Sequence, residues 1–297
     1  MFSLGEWSNA HLGKVERALE QWVAQDAPAG LGDAMRYAVL DGGKRLRPLL
    51  VMAGAEAVGG NGEAALRAAC AAELIHAYSL VHDDMPCMDN DILRRGKPTV
   101  HVKFGQAQAL LAGDALQALA FELLTPEGRA VPPGTQATLC RLLARAAGSS
   151  GMAGGQAIDL ASVGLALTED QLRQMHRLKT GALLQGSVAM GAACAGEGTV
   201  SAVALEALDR YGAALGLAFQ VVDDILDVTA DSATLGKTAG KDAAQDKPTY
   251  VSLLGLERSR EYARELLAEA LAALDDSGLP DTRALRALAG MVVNRDK

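Results

Sequence analysis

The 297-residue chain is poor in aromatic residues, at 4%, and holds only four cysteines and nine prolines. With few aromatic and β-branched side chains there is little from which to build sheets, and helix is favoured instead. Cys70, Cys87, Cys140 and Cys194 are widely spaced and form no C-x-x-C pair. Reduced thiols in a cytoplasmic protein are expected. The first residues, MFSLGEWSNAHLGK, lack a basic region followed by an apolar core, so no secretory signal is expected either. Basic charge is also scarce: the net charge is −8, without the positive field that a nucleic-acid binder needs. Anionic small molecules need only local basic clusters and stay open. A membrane span is not expected. The longest uncharged stretch, Thr180 to Gly196, has 17 residues and is interrupted by Gln185, Ser187 and glycines, as suits a buried core helix.

What is present is apolar and helical. Hydrophobic residues make up 49% and charged residues 22% of the chain, a globular balance, and roughly a fifth of the residues are alanine. Helices are predicted over 9–25, 30–41, 45–58, 62–84, 104–124, 134–147, 150–162, 168–195, 200–228, 248–256, 258–275 and 281–294. Residues Ala263, Leu266, Leu267 and Ala270 recur at the spacing of a surface helix. By contrast, 68–81 and 212–226 are apolar nearly all round and should be central. Gly42-Gly43, Gly59-Gly60-Asn61-Gly62, Pro132-Pro133-Gly134 and Ser277-Gly278-Leu279-Pro280 punctuate the rest. No strand-period alternation, repeat or long linker intervenes. The expectation is one large all-α domain over 1–297.

Charged residues are concentrated at particular helix ends. The central helix closes with His82-Asp83-Asp84-Met85-Pro86 and continues through Cys87-Met88-Asp89-Asn90-Asp91. Carboxylates at a helix C-terminus oppose the macrodipole and are costly beside apolar surface unless a cation meets them. Pro86 stops the helix, and a six-residue step would put Asp89 about 240° from Asp83, so a loop must bring it back. Taken alone, this is also how an exposed acidic turn would read. A second cluster, Asp223-Asp224-Ile225-Leu226-Asp227, ends another apolar helix, with Asp223 and Asp227 one turn apart. Two such clusters are improbable as unrelated surface features. Oxygen ligands without His or thiolate clusters point to Mg2+, which takes one or two carboxylates and completes its shell with water and phosphate oxygens. That implies a phosphorylated substrate. Basic blocks agree: Lys44 and Arg47 open a helix, Arg94, Arg95 and Lys97 follow the first acidic loop, Lys179-Thr180 lies early in 168–195, and Lys237, Lys241 and Lys247 follow the second cluster.

These motifs make the chain resemble the trans-isoprenyl diphosphate synthases, in particular the bacterial-type farnesyl diphosphate synthases (geranyltranstransferases). The stretches that carry the likeness are GGKRLRP (42–48), HAYSLVHDDMPCMDNDILRRGKPTVH (76–101), GGQAIDL (154–160), LKTGALL (178–184), FQVVDDILD (219–227) and LGKTAGKDAAQDKPTYVSLLG (235–255). Departures are small. Asn90 stands where relatives often carry an acidic residue, and Cys87 where a small one is common.

The resemblance implies a helical bundle around a deep apolar cavity with both acidic motifs at its mouth. It implies that Asp83, Asp89 and Asp223 bind Mg2+, three ions in all, with Asp84, Asp224 and Asp227 in support. Arg94, Lys179, Thr180, Gln220 and Lys237 would contact the allylic diphosphate, from dimethylallyl or geranyl diphosphate, and form the catalytic set. Lys44, Arg47, His76 and Arg95 would hold isopentenyl diphosphate, and Lys247 would join on closure of the 228–247 loop. An allyl cation forms as diphosphate leaves, and Mg2+ with Lys and Arg neutralises the developing charge. Tyr78 and Ser79 precede Asp83 by five and four residues, roughly 6–8 Å down the helix. A bulky residue at 78 closes the cavity after a C15 product in relatives, although ordinary core packing would also account for Tyr78. The resemblance also implies a homodimer.

Other readings are weaker. A class I terpene cyclase shares the first acidic motif but usually lacks the second and needs no second diphosphate site. A non-catalytic synthase subunit commonly loses motif residues that are intact here. A C20 (geranylgeranyl) synthase is the nearer alternative. His82 is expected to pack or hydrogen-bond, since Mg2+ prefers oxygen. Gln156 and Asp159 either line the cavity or satisfy a break in their helix.

Overall fold

The structure is a computed structural model and describes residues 2–40, 42–229 and 249–295. Helices α1 (Leu4–Trp22), α2 (Leu31–Val39), α3 (Leu46–Ala57) and α4 (Gly62–Asp83) precede a short hairpin, β1 (Leu93–Arg94) and β2 (Lys97–Pro98). Then come α5 (Val100–Phe104), α6 (Gln106–Leu124), α7 (Pro133–Ala147), α8 (Met152–Ala161), α9 (Glu169–His176), a wide turn over Arg177–Gly181, and α10 (Ala182–Ala193). The long α11 (Ala202–Thr229), α12 (Tyr250–Leu254), α13 (Leu256–Asp276) and α14 (Arg283–Val293) complete the described chain. The all-α expectation holds.

Helix α4 starts where Asn61 caps it, its side chain accepting from the Ala64 N–H at 2.9 Å. Its Ala-rich body is buried on most sides, through Ala64, Ala68, Ala71, Ala72, Leu74 and Ile75. Small side chains let α1, α2, α6 and α7 pack around it, with Val15, Leu19, Leu116, Leu139 and Leu143 in one apolar cluster. At roughly 2 kcal/mol for each fully buried leucine, such a cluster is the main source of cohesion. A second cluster joins α3, α10, α11, α13 and α14 through Leu50, Leu184, Val188, Tyr211, Leu215 and Leu285. Buried Tyr211 donates its hydroxyl to the Leu285 carbonyl at 2.7 Å, so no polar atom is stranded there. Helices α3 and α10 touch along their backbones: a Cβ at Gly191 would lie 2.4 Å from the Val51 carbonyl oxygen.

Several predicted boundaries shift. The first helix begins at Leu4 instead of residue 9, capped by Ser3. The stretch 104–124 is divided at Gly105 (φ 90°), whereas 168–195 stays helical from Glu169 to Ala193 and only widens at the π-type turn over 177–181. The hairpin was not anticipated, because each of its strands has two residues, too few to show a period. Arg95 and Gly96, both at positive φ, form its turn in the type I′ pattern. The central character of 68–81 and 212–226 is borne out. Helices α4 and α6 each have the length and hydropathy to cross a bilayer, but 67% of the α4 window is buried in the bundle, against 39% for α6.

Candidate active site

After α4 the chain doubles back as geometry requires. The Asp89 N–H donates to the Asp83 carbonyl at 2.8 Å, and the Asp91 N–H to that of Asp84 at 3.1 Å. Asp83 and Asp89 are therefore neighbours. Burial pushes the Asp83 carboxyl up to about 6; Lys179 and Arg94 pull against that, while Asp89 and Asp84 add to it. Asp84 is held differently. It is fully buried, and the Arg94 fork grips it through Nε to Oδ2 at 2.8 Å and Nη2 to Oδ1 at 2.6 Å. The hairpin sets Arg94 in place for this pair. Burial raises the Asp84 pKa and the Arg94 bond opposes it.

On α11 the second motif divides in the same way. Asp224 and Asp227 are buried, whereas the Asp223 side chain is 40% exposed. Asp224 accepts from Gln220 Nε2 at 2.9 Å and from the Tyr250 N–H at 2.8 Å. Gln220 Oε1 in turn accepts the Thr180 hydroxyl at 3.2 Å. A single hydrogen-bonded chain thus runs from the second acidic motif to Thr180.

Thr180 and Lys179 lie in the wide turn, a five-residue π-type segment of the kind often found at functional sites. The turn is clamped on two sides. A Cβ at Gly155 of α8 would come within 2.0 Å of the Lys179 nitrogen, and one at Gly216 of α11 within 2.8 Å of Gly181 Cα. Lys179 Nζ pairs with Asp159 Oδ2 at 2.5 Å, which gives that α8 carboxylate a definite partner.

These elements border a cavity of about 470 Å³. Asp83, Lys179 and Thr180 line it, with Arg47 and His76 on one wall and Met152, Gln156 and Leu160 on another. Tyr78 and Ser79 line it too, so Tyr78 is a wall residue and not interior packing alone. Its ring meets His82 edge-on at 5.6 Å, and His82 Nε2 lies 3.1 Å from the Leu110 carbonyl oxygen, the hydrogen-bonding role expected of that histidine. Both side-chain polar atoms of buried Gln156 lack protein partners.

A smaller adjoining cavity of about 50 Å³ shares His76 and is lined by Arg45, Arg94 and Arg95. Burial, then the charges of Arg47, Arg94, Arg95 and Arg45, drive the His76 pKa well below its ordinary value, so the ring is neutral at pH 7. Burial also lowers Arg47 to about 10, against the pull of Glu73. Arg95 donates to the Gly42 carbonyl and lies against Gly43, where a Cβ would sit 2.9 Å from the guanidinium. Lys44 is exposed nearby. Lys237, Lys241 and Lys247 lie outside the described residues.

Two arginines escaped sequence reading. Arg45, in the left-handed region at φ 47°, is buried and bridges Glu16 and Glu73, each at 2.7 Å. In Lys44-Arg45-Leu46-Arg47 nothing marks the middle cation as an anchor instead of a ligand, because its partners are remote in sequence. Arg295 reaches Asp223 from the far end of the chain, at 3.2 Å.

The residues present fit Mg2+. The candidate ligands are all carboxylate oxygens, and half-buried Asp83 carries a raised pKa that a nearby cation would relieve. Among the described residues no three His, Cys, Asp or Glu side chains form a ready metal cage.

A helical bundle with acidic motifs at the ends of two central helices is the all-α fold of the isoprenyl diphosphate synthases. The chain belongs to the Polyprenyl synthetase family, which matches residues 28–284. It is 47% identical over 295 residues to the farnesyl diphosphate synthase of Escherichia coli (strain K12), covering 96% of each chain. It is equally, 47%, identical over 283 residues to a chloroplastic geranylgeranyl pyrophosphate synthase of Capsicum annuum, covering 95% of this chain and 76% of that one. Geranyltransferase from Helicobacter pylori, solved in complex with magnesium and isoprenyl diphosphate, superposes with a TM-score of 0.84 at 35% identity, over 99% of this chain and 97% of that one. The protein is a prenyltransferase that elongates prenyl chains.

Proposed function

We propose that the protein, as one domain spanning residues 1–297, condenses isopentenyl diphosphate head-to-tail with dimethylallyl and then geranyl diphosphate, yielding farnesyl diphosphate (C15) and inorganic diphosphate. The observation that carries the C15 length is Tyr78, whose side chain lines the cavity five residues before Asp83. A ring there, braced by His82, limits how far a growing chain can descend. The C20 reading keeps its place because the pepper relative is a geranylgeranyl synthase at equal identity.

Asp83, Asp89 and Asp223 would hold Mg2+, three ions in all, with Asp84, Asp224 and Asp227 in support, Asp84 by gripping Arg94 and Asp224 by accepting from Gln220 and the Tyr250 N–H. When bound, Mg2+ supplies positive charge to the departing diphosphate. Lys179 and Lys237 add to that charge, and Asp84 takes Nε and Nη2 of Arg94, leaving Nη1 for a diphosphate oxygen. Lys44, Arg47 and Arg95 hold the second diphosphate, with neutral His76 donating one N–H. Breaking the allylic C–O bond leaves a cation, which the oxygens of Thr180 and Gln220 and the Lys179 carbonyl stabilise. The double bond of isopentenyl diphosphate attacks it, a C–C bond forms, and the released diphosphate accepts the proton that departs.

An exposed apolar face on α6, with Leu110 and Leu111 about half exposed, supports a homodimer. The cytoplasm is the setting we propose, with neither a nucleic acid nor a membrane span involved. Incubation with Mg2+, isopentenyl diphosphate and either allylic substrate, followed by chain-length determination, tests the reading. A C15 diphosphate supports it, and a C20 product overturns the floor assignment while keeping the chemistry. A cyclic hydrocarbon, or diphosphate release alone, sinks it altogether.

A further inference from the structure

We infer that Arg295 is a resident counter-ion of Asp223 that Mg2+ must displace, so that the C-terminal end of the chain sets the metal demand of the second acidic motif. Past the end of α14, Arg295 turns back onto α11. Its Nη2 donates to the Phe219 carbonyl at 3.0 Å and to Asp223 Oδ1 at 3.2 Å. The guanidinium stacks over the Phe219 ring at 4.1 Å from its centre. Its side chain is only 11% exposed, so this is a seat within the protein and not a surface encounter.

The seat is incomplete. Arg295 Nε is buried without a hydrogen-bond partner, an arrangement that costs free energy as long as the arginine stays. Asp223, the most exposed carboxylate of its motif, has one oxygen turned to this guanidinium. A divalent cation on that oxygen would meet a positive charge within contact distance. The two therefore compete, and by linkage each weakens the other by the same factor. Once displaced, Arg295 recovers water at Nε, which offsets part of what it loses at Asp223.

Taking Asp223 as a magnesium ligand, as proposed above, the test is a Mg2+ titration of the full-length protein at fixed inorganic pyrophosphate. The readout is the midpoint of the metal-dependent rise in melting temperature, which needs no turnover. Arg295→Gln is expected to lower the Mg2+ midpoint about three- to tenfold, the scale of one charged contact. Arg295→Lys, which keeps the charge but loses the planar fork, is expected to fall between the two. An unchanged or raised midpoint in Arg295→Gln overturns the competition. Asp223→Asn separates the two levels. If it leaves the midpoint where the wild type has it, the metal role of Asp223 fails. If it raises the midpoint while Arg295→Gln does nothing, only the counter-ion role fails.

Discussion

Single side chains at this site divide into those that face the cavity and those that hold them. Tyr78 belongs to the first group. Replacing it with alanine removes the ring that limits depth, and the expected outcome is a shift of product from C15 to C20 or longer. Gas chromatography of the dephosphorylated products would show it, and an unchanged C15 profile would return Tyr78 to the role of ordinary packing. His176 belongs to the second group. Burial pushes its pKa from 6.5 to about 4, and it stacks on Tyr250, whose backbone N–H holds Asp224. A base whose folded pKa is depressed is protonated first in the unfolded chain. Stability is therefore lost as pH falls through the window from about 6.5 to about 4. His176→Phe keeps the stack and removes this titration. Urea unfolding should then show a shallower decline between pH 7 and pH 4.5, the wild type losing up to about 2–3 kcal/mol more over that interval. Equal slopes for the two proteins would refute it.

Elements explain why those side chains stand where they do. The acidic ends of α4 and α11 were legible because carboxylates at apolar helix ends are costly, and a cost repeated twice asks for a cause. The return of Asp89 to Asp83 followed from Pro86 and helical periodicity alone. The wide turn at 177–181 was not legible, since Leu178-Lys179-Thr180-Gly181 has no breaker stronger than one glycine. What forces the widening is remote: Gly155 and Gly216 bring two other helices against that backbone. Gly155→Ala tests this. The added Cβ would fall within 2.0 Å of the Lys179 nitrogen, so α8 or the turn must move. Destabilisation of about 1–3 kcal/mol is expected from such overpacking, together with a loss of kcat exceeding any change in KM. Wild-type kcat in a protein with a lowered melting temperature would show that the turn tolerates displacement.

At the scale of the whole molecule, the all-α bundle was readable from composition, because alanine and leucine abound while residues suited to sheets are scarce. The partnerships of Arg45 with Glu16 and Glu73, and of Arg295 with Asp223, were not, since no local pattern encodes contacts between distant segments. The apolar face of α6 lies between these cases. Its sequence is mostly apolar, yet Ala107, Leu110, Leu111 and Ala118 are exposed on one side while Ala112 and Leu116 are buried on the other. That exposed face is backed by the site itself, because His82, which braces Tyr78, lies at hydrogen-bond distance from the Leu110 carbonyl. A second copy packed on this face would remove its apolar surface from water and stiffen the wall that carries Tyr78 and Asp83. Light scattering is expected to give twice the monomer mass for the wild type and the monomer mass for Leu111→Glu, whose charge cannot be buried unpaired. Because only the dimer gains from mass action, the wild-type melting temperature should rise with protein concentration and that of Leu111→Glu should not. A wild type that is monomeric at micromolar concentration, or a Leu111→Glu dimer as stable as the parent, would remove α6 from the interface.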